Sequence, residues 1–561
     1  MVRRLLHFFN TELGGLHQAA LLLGLSSLAS QLLGLFRDRL LASTFGAAQQ
    51  LDVYYAAFRI PDLIFVGIGS FLAVTVVIPI LLEREATASL AAQRQLMHSL
   101  LTVFLGMMVL TACIVVPLLP WLLPLIAPGF SPPVQADLYT LTLVLMLSPL
   151  LLGLSNLLGA VTQAKRRFLL YALSPLLYNV GIIAGILFLY PVFGVLGIVY
   201  GVIVGASLHV LVQVPTIVRA GLFPRCTLRL HWQEVRLVLS RSLPRTLALG
   251  SNQLVLVVLL ALASSMAVGS IAVFTFAFNL QSVPLALIGV SYSVAAFPTM
   301  AKLYAEGKRD LFLDYTTEAL RHIIFWALPV VALFVVLRAH LVRVILGSGN
   351  FSWEDTRLTA AVLAVLTFAV LFQSIVQLLD RAYYAAGRTR EPVLVKLASS
   401  GVAIVCGFVL PILFVTIPSF FSLLLRVFRI EDVAGGEVLA LPLAFSIGML
   451  VNVLLLAYLF TRTFGGSSLR ASARTLLQAL CGALVIGLVA RGTLELTSSY
   501  VDLHYTFGVF LQGLTAGVLG IIAGIIVLRC VRSKELEEIR QSLHRHLGRI
   551  FPIFPGPEDL G

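Results

Sequence analysis

Apolar residues in this chain come in long unbroken runs, not at the spacing of a helix or strand that covers a soluble core. Runs of about 20 mainly apolar residues, the length that crosses a bilayer, occur near 18–36, 55–82, 97–126, 138–162, 168–190 and 193–218. They recur near 243–266, 271–300, 320–346, 358–379, 393–417, 438–461, 474–490 and 506–529. The pattern predicts an all-α, polytopic membrane protein of about fourteen transmembrane helices.

Composition agrees with lipid as the main solvent. Of 561 residues, 59% are hydrophobic and 12% charged, against roughly 25% charged in an ordinary soluble domain. No short apolar segment with a small-residue cleavage site stands apart from the first run, so direct insertion without a removable signal peptide is expected. Cys113, Cys226, Cys406, Cys481 and Cys530 are far apart and lack metal or redox spacing, and are expected to be small buried hydrophobes.

The net charge of +13 sits in short bursts between the runs, which argues for a topology signal and against a nucleic-acid surface. With the N-terminus inside, thirty Lys and Arg fall in loops on the cytoplasmic side, from Arg3 and Arg4 through Lys165, Arg166 and Arg167 to the C-terminal tail. Six fall on the other side: Arg338, Arg343, Arg357, Arg426, Arg429 and Arg491. Both termini are therefore expected in the cytoplasm of a multi-pass membrane protein. The remaining three, Arg37, Arg39 and Arg59, lie in or at the ends of the first two predicted helices.

The chain also matches itself at an offset of about 220 residues. Phe58-Arg59-Ile60, Gly69 and Pro79 align with Phe278-Asn279-Leu280, Gly289 and Pro298, and Pro128-Gly129-Phe130 aligns with Gly349-Asn350-Phe351. Ala160, Ala164 and Arg166 align with Ala382, Ala386 and Arg388. Copies with an even number of helices enter the membrane from the same side, related by an axis along its normal. This predicts two six-helix bundles, 1–235 and 236–465, an accessory pair of helices at 466–530 and a cytoplasmic tail at 531–561. Leu536, Ile539, Leu543 and Leu547 give that tail a helical stripe.

Candidate chemistry concentrates in the first two helices. Arg37, Asp38, Arg39, Asp52, Arg59 and Asp62 lie within 26 residues, where each charge at mid-bilayer costs roughly 2.5–3.5 kcal/mol unless it faces a wet cavity or a partner. Arg37 and Arg59 either line such a cavity and grip an anionic head group, with Asp52 and Asp62 orienting them, or snorkel to the boundary. Asn156, Asn179, Asn252, Gln253, Asn279, Gln281, Gln373 and Gln377 are read mainly as bonds between helices. Asp380 beside Arg381 is either a helix-end pair or a site for a coupling cation such as sodium; no other cofactor or metal is expected. Proline within the runs, at Pro61, Pro79, Pro175, Pro244, Pro284 and Pro298, allows bent helices. Nucleophile-elbow, metalloprotease and P-loop motifs are absent, so a transporter is expected and not an enzyme.

From Arg37-Asp38 through Phe45-Gly46-Ala47, Asp52 and Phe58-Arg59-Ile60-Pro61-Asp62 the sequence resembles the MurJ (MviN) family of lipid II flippases. Ala127-Pro128-Gly129-Phe130, Pro298-Thr299-Met300-Ala301-Lys302, Gly349-Asn350-Phe351 and Arg381-Ala382-Tyr383-Tyr384-Ala385-Ala386-Gly387 continue the likeness, which spans residues 15 to about 530. The resemblance implies two six-helix bundles around a cationic cavity, and a groove for a polyprenyl chain at helices 13 and 14. It implies functional importance for Arg37 and Asp52 and a cavity position for Arg59. Where typical members carry further arginines this chain has Gln31, Phe65 and Asn279. The expected substrate is a lipid-linked anion, lipid II, moved by alternating access; the alternatives are another polyprenyl-linked glycan, or a transport-dead scaffold for cell-wall synthesis proteins. Membrane lipids are the other expected partners, and nucleic acid is not one.

Overall fold

In hydrocarbon no water meets an exposed N–H or C=O, so a spanning chain must satisfy its backbone internally. The computed structural model does so with helices alone: among the described residues there is no strand. It describes residues 16–541 apart from 73, 88–89, 166, 466, 501–504 and 539. Arg3, Arg4, Arg166, Ile539, Leu543 and Leu547, used in the topology, repeat and tail readings above, lie outside the described residues.

Twelve helices among the described residues are long and apolar enough to span, from Leu90–Ile126 to Thr506–Cys530. They account for the last twelve sequence runs. Of the first two runs, one is the 30-residue helix Leu16–Phe45. The other is interrupted, as Gln49–Ala57, Arg59–Gly67, a 3-10 turn Gly69–Leu72 and Val74–Thr87. Pro61 explains the first interruption: it has no N–H to return to Ala57, and the helix restarts at Arg59 with the amide of Asp62 on the carbonyl of Phe58 at 2.8 Å.

The chain divides into two compact units. The first takes the residues up to Phe276 together with Ile345–Asp355 and Lys396–Leu441. The second takes Ala277–Val344, Thr356–Val395 and the residues from Pro442 onward. In the first unit, Arg84 closes on Glu234 at 2.7 Å and joins Val74–Thr87 to the start of the 33-residue helix Trp232–Ser264. The second unit is organised around aromatic rings, with Tyr383 buried between Phe460 and Phe464 at ring distances of 5.9 and 5.4 Å. There the predicted accessory pair, Ser467–Thr497 and Thr506–Cys530, packs closely where Gly482 meets Leu528 and Gly524 meets Ile486.

Outer faces of the spans carry large apolar side chains such as Leu125, Phe188 and Leu488, which suits lipid as the surroundings. The cysteines correct one expectation. Cys113, Cys226, Cys481 and Cys530 are exposed and Cys406 is half-buried, all of them free thiols. Cys113, Cys406, Cys481 and Cys530 lie in spans, where lipid can supply the cover that protein does not, whereas Cys226 lies in the loop before helix Trp232–Ser264.

Candidate substrate-binding site

Helix Leu16–Phe45 carries Gln31, Arg37 and Asp38, and Arg37 is held from two sides. Its Nε and Nη2 both donate to Asp38 Oδ1, at 3.0 and 2.8 Å. Its Nη1 donates to Asn179 Oδ1 at 3.1 Å, across to helix Phe168–Ala184. Asn179 is itself fixed, with Nδ2 donating to the carbonyl of Pro175 at 3.1 Å and to Ser30 Oγ at 3.3 Å. The Arg37 side chain keeps 22% exposure while that of Asp38 keeps 3%, so the guanidinium alone of the pair reaches open space.

Arg59 is buried and donates from Nε to the carbonyl of Tyr55 at 3.2 Å. Asp62, one turn further on, accepts from Gln253 Nε2 at 3.5 Å. Tyr55 is within electrostatic reach of Arg37, Asp38 and Arg59 alike, and Tyr178 of Arg37 and Asp62. The structure thus brings Arg37, Asp38, Arg59 and Asp62 into one polar neighbourhood of the first unit, lined by Tyr54, Tyr55 and Tyr178. Gln31 is half-buried on the same helix as Arg37, six residues before it. Asn279 is half-buried in the second unit, and Ser282 Oγ donates to its backbone carbonyl at 2.6 Å. Asp380 is buried near the end of helix Trp353–Ala385 in the second unit.

Asp52 does something else. It is buried, and both its oxygens accept from backbone: Oδ2 from the amide of Gly269 at 2.7 Å, Oδ1 from that of Ala272 at 2.8 Å. These amides belong to the first turn of helix Ser270–Leu285 and the loop before it, where N–H groups lack helical partners and the helix dipole favours a carboxylate. The expectation that Asp52 orients the arginines is therefore corrected: Asp38 and Asn179 hold Arg37, and unmet amides claim Asp52.

Around Asp52 lies a seam that the sequence matches marked without explaining. Gly269 has φ +90°, and a Cβ there would strike the carbonyl of Ala47. Gly349 has φ +57°, and a Cβ there would strike Ser43; the next residue, Asn350, donates its amide to the Ser43 carbonyl at 2.9 Å and its Nδ2 to the Thr44 carbonyl at 2.7 Å. Gly129 sits equally close to Ser264, donating its amide to Ser264 Oγ at 3.2 Å. Moving both partners of the Gly129–Ser264 contact by 221 residues, one forward and one back, gives the Asn350–Ser43 contact, and in each the amide of the first residue donates to the serine. Asp52 meets Ala272, the residue 220 positions on, which is its own counterpart in the second copy.

Sequence reasoning named Asn179 and Gln253 as bonds between helices but missed that one holds Arg37 and the other Asp62. The three tyrosines were missed altogether, since a tyrosine in an apolar run carries no signal that separates packing from a polar lining. Other intramembrane amides behave as read: Gln373 Nε2 donates to Gln281 Oε1 at 3.2 Å, joining two helices of the second unit.

Comparison with known proteins adds three findings. The family described as "Lipid II flippase MurJ" matches residues 41–511. Curated relatives include the probable lipid II flippase MurJ of Bdellovibrio bacteriovorus, 29% identical over 400 residues (69% of this chain, 75% of that protein). Another is the lipid II flippase MurJ of Burkholderia cenocepacia, 27% identical over 377 residues (65% and 73%). The fold is similar to a solved structure described as "Lipid II flippase MurJ, inward closed conformation", with a TM-score of 0.71 at 21% identity, over 92% of this chain and 99% of that one. With 471 consecutive residues matched, all-helical architecture and the polar neighbourhood of Arg37 in place, the chain belongs to the lipid II flippase MurJ family.

Proposed function

We propose that this protein translocates lipid II, a polyprenyl-pyrophosphate-linked peptidoglycan precursor, across the bacterial cytoplasmic membrane by alternating access, and that it performs no covalent chemistry. Membership of the family supports the reading, and the observation that carries the site is Arg37: a guanidinium held by Asp38 and Asn179 yet still part-exposed. A pyrophosphate oxygen is a strong acceptor that competes for the donors now on Asp38, and a planar fork of N–H groups can share them. Arg59 adds positive potential from within the protein, and the tyrosine hydroxyls supply neutral donors. Alternation needs the seam at Asp52 to open on one side of the membrane while the arginines serve the other. Because Arg37 and Arg59 are each balanced by a carboxylate nearby, the pocket holds an anion without holding it so tightly that it is not released.

Gln31, Phe65 and Asn279 favour a second reading, a different polyprenyl-linked glycan, because they leave uncharged positions where relatives carry cations. One experiment separates the readings. Vesicles containing the purified chain are offered labelled lipid II and, in parallel, other polyprenyl-linked sugars. Lipid II is expected to flip at the highest rate, and Arg37→Ala to lower that rate at least tenfold while the protein still melts cooperatively. Equal flipping by wild type and Arg37→Ala would overturn the site, and preference for another glycan would overturn the substrate.

A further inference from the structure

We propose that Glu318, His322 and Glu538 form a binding site for one divalent transition-metal ion of the zinc class, clamping the segment after the last span onto helix Arg309–Leu346. Glu318 and His322 are four residues apart on that helix and so lie one above the other on one face. Glu538 comes from the short helical stretch at 534–538. One ligand atom from each of the three lies within 4.8 Å of the others. His322 Nε2 and Glu538 Oε2 are already 3.1 Å apart, close to the separation of about 3.3 Å that two ligands take on one tetrahedral ion with bonds of about 2.05 Å. Glu318 is exposed, free to complete the site by rotation.

The site is built in place by its neighbours. Glu535, one turn before Glu538, is buried, and its Oε1 accepts from Arg321 Nη2 at 2.6 Å and Nε at 2.8 Å and from Thr475 Oγ1 at 2.6 Å. Arg321 adjoins His322, so this anchored pair fixes the register in which Glu538 meets His322. The Tyr292 ring stacks on the imidazole at 6.0 Å and an interplanar angle of 17°, limiting its rotation. One imidazole nitrogen with two carboxylates suits Zn²⁺, Mn²⁺ or Fe²⁺, whereas Mg²⁺ prefers oxygen alone. A bare His322–Glu538 ion pair accounts for two of the residues but gives Glu318 no part.

The test uses the full chain in detergent, free of any affinity tag, stripped with chelator and titrated with Zn²⁺, Mn²⁺ or Mg²⁺ alone. One Zn²⁺ per chain is expected. Hydrogen exchange over residues 534–538 should slow about 100-fold when free Zn²⁺ reaches 100 times Kd, because binding favours the closed tail by 1 + [Zn²⁺]/Kd. Glu318→Gln should weaken Zn²⁺ binding tenfold or more, and His322→Gln should abolish it. If His322→Gln fails to fold, Glu318→Gln, at an exposed position, decides the matter. Absence of a saturable site, unchanged Zn²⁺ affinity in Glu318→Gln, or equal protection by Mg²⁺ would each overturn the proposal.

Discussion

Two polar regions of the first unit, the seam at Asp52 and the pocket at Arg37, draw on one 26-residue stretch and use the same residue types to opposite ends. At the seam a buried carboxylate meets two backbone amides, fixed donors that cannot turn away, and glycines at φ +90° and +57° let the chains come close enough. At Arg37 the donor is a side chain, its guanidinium shared between the acceptors Asp38 and Asn179 and left with some exposure. Side-chain donors can change partner by a rotamer change, which takes far less rearrangement than moving a helix end. The seam thus rests on donors fixed in the backbone, and the Arg37 cluster on a donor that a rotamer change can redirect.

Substituting the two aspartates by their neutral isosteres should break the symmetry between them. In Asp52→Asn one amide keeps an acceptor while the other faces an NH₂ group, an unmet buried donor worth about 1–3 kcal/mol, and the charge facing the helix end is lost as well. Asp38→Asn still offers an oxygen to Arg37, and Asn179 is untouched. Exchange at the Gly269 and Ala272 amides is expected to rise tenfold to a hundredfold in Asp52→Asn, each 1.4 kcal/mol being a factor of ten. In Asp38→Asn it should be unchanged. Similar exchange in the two variants would show that the carboxylate at Asp52 does not pin the seam.

A comparable effect is expected from glycine. Gly269 and Gly307 both have positive φ, +90° and +73°, but a Cβ at Gly307 meets nothing within 4 Å. Alanine costs about 1–2 kcal/mol at either position for the backbone, and at Gly269 the collision with Ala47 adds roughly 1–3 kcal/mol. Thermal melting in detergent should place Gly269→Ala clearly below Gly307→Ala. Equal melting would mean that the loop yields without cost and that the seam is not tightly packed.

How much of this was legible in the sequence follows from which terms dominate. Run length and loop charge report on transfer of whole segments into lipid, an energy large enough to be read locally, so the all-helical polytopic plan could be seen. The second run shows where that fails: hydropathy is blind to the missing N–H of Pro61, and one apolar window holds four short pieces. The charged cluster was legible as a site because ions are costly in lipid. Which carboxylate meets which donor was not, because Asp38 and Asp52 differ only in what stands opposite them, residues 179, 269 and 272, more than a hundred positions away. The offset of 220 leads from Asp52 to Ala272, whose amide it accepts, but nothing in a sequence says which matched pair of a repeat is in contact.

A third buried carboxylate joins both patterns. Glu535 accepts from side chains, as the pocket does, but from four donor groups at once, as a closed seam would: Arg321 through two nitrogens, Thr475 and, at 2.8 Å, Ser533. Burial alone raises its pKa, yet the hydrogen bonds from Thr475, its own backbone, Arg321 and Ser533 outweigh this and hold it down at about 2, against an ordinary 4.5. With the folded value depressed, the contact gives its full stability above pH 4.5 and loses it as pH falls toward 2. Limited proteolysis after residue 533, with chelator present, should thus be insensitive to pH between 7 and 5 and accelerate below about 4.5, in step with protonation of the tail when it is free. In Glu535→Gln the acceleration should vanish and cleavage be fast throughout. A tail that resists cleavage equally at pH 7 and pH 3.5 would show that neighbouring apolar packing and not the donor set holds it, and would remove Glu535 from the comparison with Asp52.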